Sequence, residues 1–265
     1  MTTPTGKRRV GWFKRWKRQT ALYRQFRSWK TARSEIRRWD EMDQRRFDFY
    51  RQFLREGDLC FDIGANIGNR TKVFARLGAV VVAVEPQDFC VMILRKMFRN
   101  SPGVTILRNV LGATPGEAEI QICDLHMLSS MSREWIKTVE KTGRFDGWRW
   151  DRVEKVEMLT LDGMIARFGV PQLVKIDVEG YEEEVLKGLS RPLRFLSLEF
   201  TPEFLEASRR SLARLAALGP LECNYAIGES MTLALAQWDS PEVILGHLRS
   251  APPSVTYGDI YVRFL

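Results

Sequence analysis

Two short stretches and one acidic residue concentrate the side chains that can do chemistry. The first stretch runs Asp62-Ile63-Gly64-Ala65-Asn66-Ile67-Gly68. Gly64 permits a tight turn and lets a ligand approach the backbone, and Gly68 lets a helix start close against a sheet. Free backbone N–H groups at such a start favour electron-rich groups. A dinucleotide fingerprint carries a middle glycine to receive a pyrophosphate. Here that position is Asn66, and an acid, Asp62, precedes the turn. Its carboxylate would repel a pyrophosphate and suits a ligand carrying positive charge. The plainer role for Asp62 is to cap the turn or the helix.

Glu85-Pro86 follows roughly 20 residues after Gly64, the distance at which an acid meets ribose hydroxyls in nucleotide-binding βαβ units. An adenosine ligand with positive charge fits both features, and S-adenosylmethionine, with its ammonium and sulfonium, is one. The second stretch is Lys175-Ile176-Asp177-Val178-Glu179-Gly180-Tyr181-Glu182, continued by Glu183 and Glu184. Strand alternation puts Lys175 and Asp177 on one face and Ile176 on the other. Asp177 and Glu179 then stand at a strand's carboxyl end, and Glu182 to Glu184 form the solvated first turn of a helix, where acids favour the dipole. Lys175 either orients an acceptor or a carboxylate, or makes a salt bridge to Glu199 or another acid.

The elements that must position these residues alternate from residue 57 onward, short apolar runs against amphipathic stretches, as in a parallel sheet flanked by helices. Strands are expected at 59–63, 80–84, 104–107, 172–176, 194–200, 221–227 and 259–265, and helices at 68–77, 88–99, 180–188 and 202–217. Val80–Val84 is continuously apolar, as a strand covered on both faces must be. Ligands of such sheets lie outside the carboxyl ends of the strands, where both stretches fall. Residues 117–123 and 153–159 read as two extra strands around an insertion, 124–152, that holds His126, Ser129, Ser130, Ser132, Trp135, Phe145, Trp148 and Trp150. The insertion is either a lid whose aromatic faces suit a sugar ring, or an excursion whose aromatics plug the edge of the core.

Composition bounds the rest. With 265 residues, 45% hydrophobic and 28% charged, the chain is neither disordered nor in need of a staple. No apolar run is long enough to span a bilayer, and no signal peptide is expected. Four isolated cysteines and two histidines fit reduced thiols in a cytoplasm and exclude a histidine-rich metal centre. Net charge is +8, yet residues 1–38 alone carry +12, so the rest is mildly acidic. That basic segment also holds Trp12, Phe13, Trp16, Tyr23, Phe26 and Trp29, several at helical spacing. We expect a helical basic arm over 1–55 and the main domain over 56–265. The arm has three readings: contact with an anionic membrane surface, a grip on nucleic acid, or an extension packed on the body. An acidic body disfavours nucleic acid.

The motifs resemble those of FkbM-type methyltransferases: Asp62 to Gly68, Glu85-Pro86, Leu161-Asp162, the Lys175-to-Gly180 block with Leu186-Lys187-Gly188, and Leu198-Glu199. The likeness covers residues 55 to 200, and the ending Tyr257-Gly258-Asp259 is similar too. It implies a class I (Rossmann-like) α/β fold of seven strands with the last antiparallel, S-adenosylmethionine as cofactor, and O-methylation of a hydroxyl on a sugar, glycan or natural product. Carried over by position, Asp62, Gly64, Ala65, Asn66 and Gly68 line the methionine part, Glu85 with Pro86 holds the ribose, and Asn109 lies near the adenine. The long basic arm and the aromatic insertion depart from the pattern.

A hydroxyl acceptor must be aligned with the methyl and must lose a proton. Asp177, Glu179 and His126 are the candidate bases, with Lys175 in support. Asp177, Glu179 and Glu199 could instead hold Mg²⁺, though a metal-free site is the expectation. The partner is a small molecule or glycan, and the location cytoplasmic, with the arm a candidate for the membrane's inner face. The competing functions are an NAD-type oxidoreductase, which Asp62 and the missing glycine disfavour, and a binding module without chemistry.

Overall fold

The computed structural model describes residues 38–143, 147–252 and 255–265. The chain divides into two units, 1–38 and 39–265. The expected arm therefore lies outside the described residues up to residue 37, and so does Phe145 of the insertion. The rest of the segment assigned to the arm belongs to the body. There α1 (Glu41–Tyr50) starts on a capping box between Asp40 and Asp43 and buries Phe49 and Tyr50. Phe53 beyond it stacks on Tyr261 at 5.4 Å. Apolar burial, which stabilises by roughly 1.5–3 kcal/mol per large side chain, holds this stretch on the body.

The apolar runs become a seven-stranded sheet in the order β3-β2-β1-β7-β8-β10-β9. Its parallel members are β1 (Leu59–Ile63), β2 (Val80–Val84), β3 (Val104–Leu107), β7 (Leu173–Ile176), β8 (Phe195–Phe200) and β9 (Leu221–Ile227). The final strand, β10 (Gly258–Phe264), inserts antiparallel between β8 and β9. The α/β fold with seven strands and an antiparallel last one is thus present, and the seven expected strands all form.

Helices cover both faces, because each strand turns alternate residues to opposite sides. Cys60, Val81, Leu173 and Tyr261 meet Phe49, Tyr50, Val73 and Phe74 of α1 and α2 (Asn69–Arg76). Phe61, Val82, Val174 and Leu196 pack on the other face with Leu161, Met164, Leu212, Leu215 and Ile244. Those five come from α5 (Leu161–Phe168), α7 (Leu205–Ala216) and α8 (Pro241–Arg249). Leu94 of α3 (Asp88–Met97) closes on Ala65 and Ala83. Helices α5 and α8 were not expected from the sequence.

The two extra strands form as β5 (Gly116–Cys123) and β6 (Trp150–Leu159), which pair antiparallel. With β4 (Val110–Leu111) on β6's other edge they make a separate sheet. Between β5 and β6 a 3₁₀ turn at His126–Leu128 leads to α4 (Arg133–Thr142), capped by Ser132. Helix α4 buries Trp135, Ile136 and Val139 against Cys123 and Leu128. Trp135 also seats on Gly180, where any Cβ would stand 2.5 Å from it. The insertion is therefore wedged onto the loop after β7, while Trp148 stays 39% exposed.

Candidate active site

At the carboxyl end of β1 the chain turns through Gly64, whose φ is +80°. A Cβ on Gly64 would lie 1.8 Å from the carbonyl oxygen of Asp177, so the loops after β1 and β7 touch through a position only glycine can fill. Asn66 and Gly68 also take positive φ, and Gly68 begins α2 against Leu94. Asp62 lies just below this turn, buried, and accepts a hydrogen bond from Thr71 Oγ1 at 2.6 Å. Burial pushes its carboxyl up, against the pull of Thr71, Lys175 and Arg70.

Glu85 follows β2 directly, with both oxygens addressed by backbone. Oε2 accepts from the Asn66 N–H at 2.8 Å and Oε1 from the Gln87 N–H at 2.9 Å. It is 2% exposed, and burial raises its carboxyl to about 7 despite those donors. Each oxygen keeps acceptor capacity for a further donor. A diol could thus be held here. Pro86 follows, half-buried. Asn109, after β3, gives its amide to the Glu157 carbonyl at 3.1 Å and carboxylate at 3.2 Å, which ties this edge to β6.

On the other side of β1, Lys175 and Asp177 share a face as alternation requires. Lys175 Nζ is 2.8 Å from Asp177 Oδ2 and 3.4 Å from Asp259 Oδ1, with the lysine 1% exposed. Burial works against its ammonium, but the two carboxylates outweigh it and hold the charge. The salt bridge expected of Lys175 to Glu199 or another acid therefore forms, to Asp177 and Asp259. Glu179 sits at φ +53°, and its carbonyl accepts from Ser130 Oγ at 2.7 Å. Asp177, Glu179 and Glu199 each bring an oxygen within 4.8 Å of the others, an oxygen set that suits a hard cation. Burial, with the Glu179, Asp177 and Glu182 carboxylates, pushes Glu199 well up.

One expectation is corrected here. Glu182, the first residue of α6 (Glu182–Lys187), is buried, not solvated: its Oε1 takes the Val178 and Gly180 N–H groups, and burial raises it to about 7. Only Glu183 and Glu184 of that acidic run face cations, Arg210 and Lys187. His126 falls beside Phe89 and Gln87, at the end of β2, with β1 between it and the Lys175–Asp177 pair. Burial lowers it to about 4, so the ring is neutral near pH 7. Sequence reasoning missed Asp259 and Gln87. The buried Gln87 amide joins the Glu85 loop to the insertion, donating to the His126 carbonyl and accepting from Ser129 Oγ.

Residues 62–242 match the methyltransferase FkbM domain. Over 145 residues the chain is 28% identical to the hexuronic acid methyltransferase AglP of Haloferax volcanii. That alignment covers 52% of this chain and 53% of AglP, so the chain spans about half the length of this curated relative. Among solved structures, an O-methyltransferase from Bacillus cereus in complex with SAH is 12% identical, at 92% and 90% coverage of the two chains and a TM-score of 0.44. A TehB-like SAM-dependent methyltransferase from Corynebacterium glutamicum is 9% identical, at 93% and 100% coverage and a TM-score of 0.46. Among the described residues no helix is long and apolar enough to cross a membrane. The oxidoreductase reading has no support in these likenesses. The chain belongs to the methyltransferase FkbM domain family, and its cofactor is S-adenosylmethionine.

Proposed function

We propose that the chain transfers the methyl group to a hydroxyl oxygen of a sugar, with a hexuronic acid as the first acceptor to try, and that Asp177 takes the hydroxyl proton. The observation that carries this reading is the buried Lys175 ammonium holding Asp177 at the carboxyl end of β7, next to the turn at Gly64. The name of AglP supports the acceptor class.

When bound, S-adenosylmethionine supplies a methyl group on a positively charged sulfur. Asp62 would balance the positive charge of its methionine part, the backbone of Gly64, Ala65, Asn66 and Gly68 would hold that part, Glu85 would receive the ribose hydroxyls beside Pro86, and Asn109 would stand near the adenine. Asp177, Glu179 and Glu199 face the acceptor, with Lys175 beneath them. Fixing a base and an acceptor oxygen together supplies much of the acceleration for a displacement of this kind. The surplus of carboxylates also favours a cationic donor over a product whose sulfur is uncharged.

The test pairs acceptors with one substitution. Release of S-adenosylhomocysteine is measured with D-glucuronic acid, methyl glucoside and a macrolide, and the product is checked for a methyl ether by mass spectrometry. Asp177→Asn should lower turnover about 10²–10⁴-fold, the usual share of a general base, while S-adenosylhomocysteine affinity changes only a few-fold. Wild-type turnover in that variant would make Asp177 structural. A methyl group found on nitrogen or carbon would overturn the hydroxyl acceptor.

A further inference from the structure

The register of the central sheet lines up a row of buried polar side chains. Asp62 of β1 pairs with Lys175 of β7, Lys175 with Ser197 of β8, and Ser197 with Tyr261 of β10. In-register neighbours point to the same face, so all four look toward α1 and α2. Each is at most 2% exposed. One step nearer the carboxyl edge, on the same face, Asp259 pairs with Glu199. Asp177 occupies the same row as it leaves β7, two residues beyond Lys175. Three carboxylates thus stand side by side above a single ammonium.

Lys175 reaches two of the three. Its contact with Asp177, at 2.8 Å, is the shorter, and that with Asp259, at 3.4 Å, reaches it from β10, two strands away. Asp259 is itself fixed by neighbours. Ser197 Oγ donates to Oδ1 at 3.3 Å, and Tyr261 O–H donates to Oδ2 at 3.5 Å. Burial, reinforced by the Asp259 carboxylate, keeps the Tyr261 phenol protonated and able to donate. The Tyr50 hydroxyl, from α1, meets Tyr261 at 3.5 Å and extends the chain to the helix that covers this face. A buried ammonium with one carboxylate would settle wholly on that carboxylate. With a second carboxylate within 3.4 Å it is shared between the two.

The geometry points to Asp259 as a positioning residue: it anchors the Lys175 ammonium, through which the Asp177 carboxylate is fixed beside the methyl-transfer centre. Asp259 acts through Lys175, and this role rests on the assignment of Asp177 as the base. The anchor explains why an acid is placed in the interior of the last strand, 84 residues from the lysine it serves. It also ties together the central strands that frame the acceptor side.

The test uses the full chain with ¹⁵N-labelled lysine. A buried, ion-paired ammonium exchanges its protons slowly and gives its own signal, assigned to Lys175 by its loss in Lys175→Met. Asp259→Asn should shift that signal as the ammonium settles on Asp177 alone, and Asp177→Asn should shift it differently as the ammonium settles on Asp259. In the same Asp259→Asn protein, turnover with D-glucuronic acid should fall at least about tenfold, with S-adenosylhomocysteine affinity held within about threefold. A merely structural aspartate would lower both together. An unchanged ammonium signal in Asp259→Asn overturns the anchor, and so does a loss of cofactor affinity as large as the loss of turnover. If Asp259→Asn does not fold, Ser197→Ala and Tyr261→Phe each remove one bond to Asp259 without changing the charge. Both should broaden the Lys175 signal, and no change in either variant overturns the proposal. Absence of wild-type turnover on glucuronic acid would count against the acceptor alone. Wild-type turnover in Asp177→Asn would count against the base alone. In both cases the ammonium signal still decides whether Asp259 holds Lys175.

Discussion

Around the end of β1 and β2 the site is made of backbone, whereas around the ends of β7, β8 and β10 it is made of side chains. On the first side, Gly64 and Asn66 turn with positive φ and Glu85 is positioned by two N–H groups. On the second, Lys175, Asp177, Asp259 and Glu199 come from three strands and depend on one another's charges. A backbone-built half binds a constant ligand and is written locally in the sequence. A charge-built half can be retuned for different acceptors by single substitutions, and it takes shape only when distant strands meet.

The two halves join at Gly64, so Gly64→Ala is the most severe way to break the comparison. Its Cβ would collide with the Asp177 carbonyl, and φ of +80° is unfavourable for alanine. We expect a loss of about 3 kcal/mol or more, a fall in Tm of roughly 6–12 °C for a domain of this size. S-adenosylhomocysteine binding should disappear in calorimetry. Binding at wild-type strength would show that the loops after β1 and β7 can separate without cost.

Glu85→Gln should injure the first half alone. An amide there places a donor where Asn66 and Gln87 already donate, and it would weaken the acceptance proposed for the ribose hydroxyls. Losing a charge-assisted hydrogen bond costs about 1.5–3 kcal/mol, so affinity for S-adenosylhomocysteine should drop roughly 10- to 100-fold. Adenosine should lose affinity by the same factor, because it keeps the ribose. If adenosine is unaffected, Glu85 does not meet the ribose.

How much could be seen in the sequence follows the same division. Val80–Val84, the turn from Asp62 to Gly68 and Glu85 are consecutive or lie one βαβ unit apart, so spacing alone places them. Lys175 and Asp177 were legible as neighbours on one face. Their third partner was not, because Asp259 joins them only after β10 slots between β8 and β9. Glu182 misled for a related reason: an acid in a first turn is usually solvated, but here a tight turn offers it two N–H groups. Helix α4 escaped notice because its buried residues, Trp135, Ile136 and Val139, sit among charges in a stretch bounded by strands. Helix α8 carries its signal in the sequence, Ser240 as cap and Pro241 as first residue.

The mildest perturbation is pH, and it sharpens the contrast because it acts on Glu85 without changing any atom but a proton. Burial raises the Glu85 carboxyl to about 7 from an ordinary 4.5. Between those values the folded protein binds more protons than the unfolded chain, so this group makes stability fall as pH rises from about 4.5 to 7 and then level off. Ligand binding runs the other way. Ribose hydroxyls donate, and only the ionised carboxylate accepts with all its oxygens. Affinity for S-adenosylhomocysteine should therefore rise with pH up to about 7 and flatten above it, approaching a tenfold change per unit on the acidic side. Binding near neutrality should release a fraction of a proton, seen as a dependence of the binding heat on the buffer's ionisation enthalpy. Glu182 is raised to a similar value on the other side of the site, so Glu182→Gln is the control. The proton release should survive in Glu182→Gln and vanish in Glu85→Gln. The reverse pattern would move the titrating group to the charge-built half.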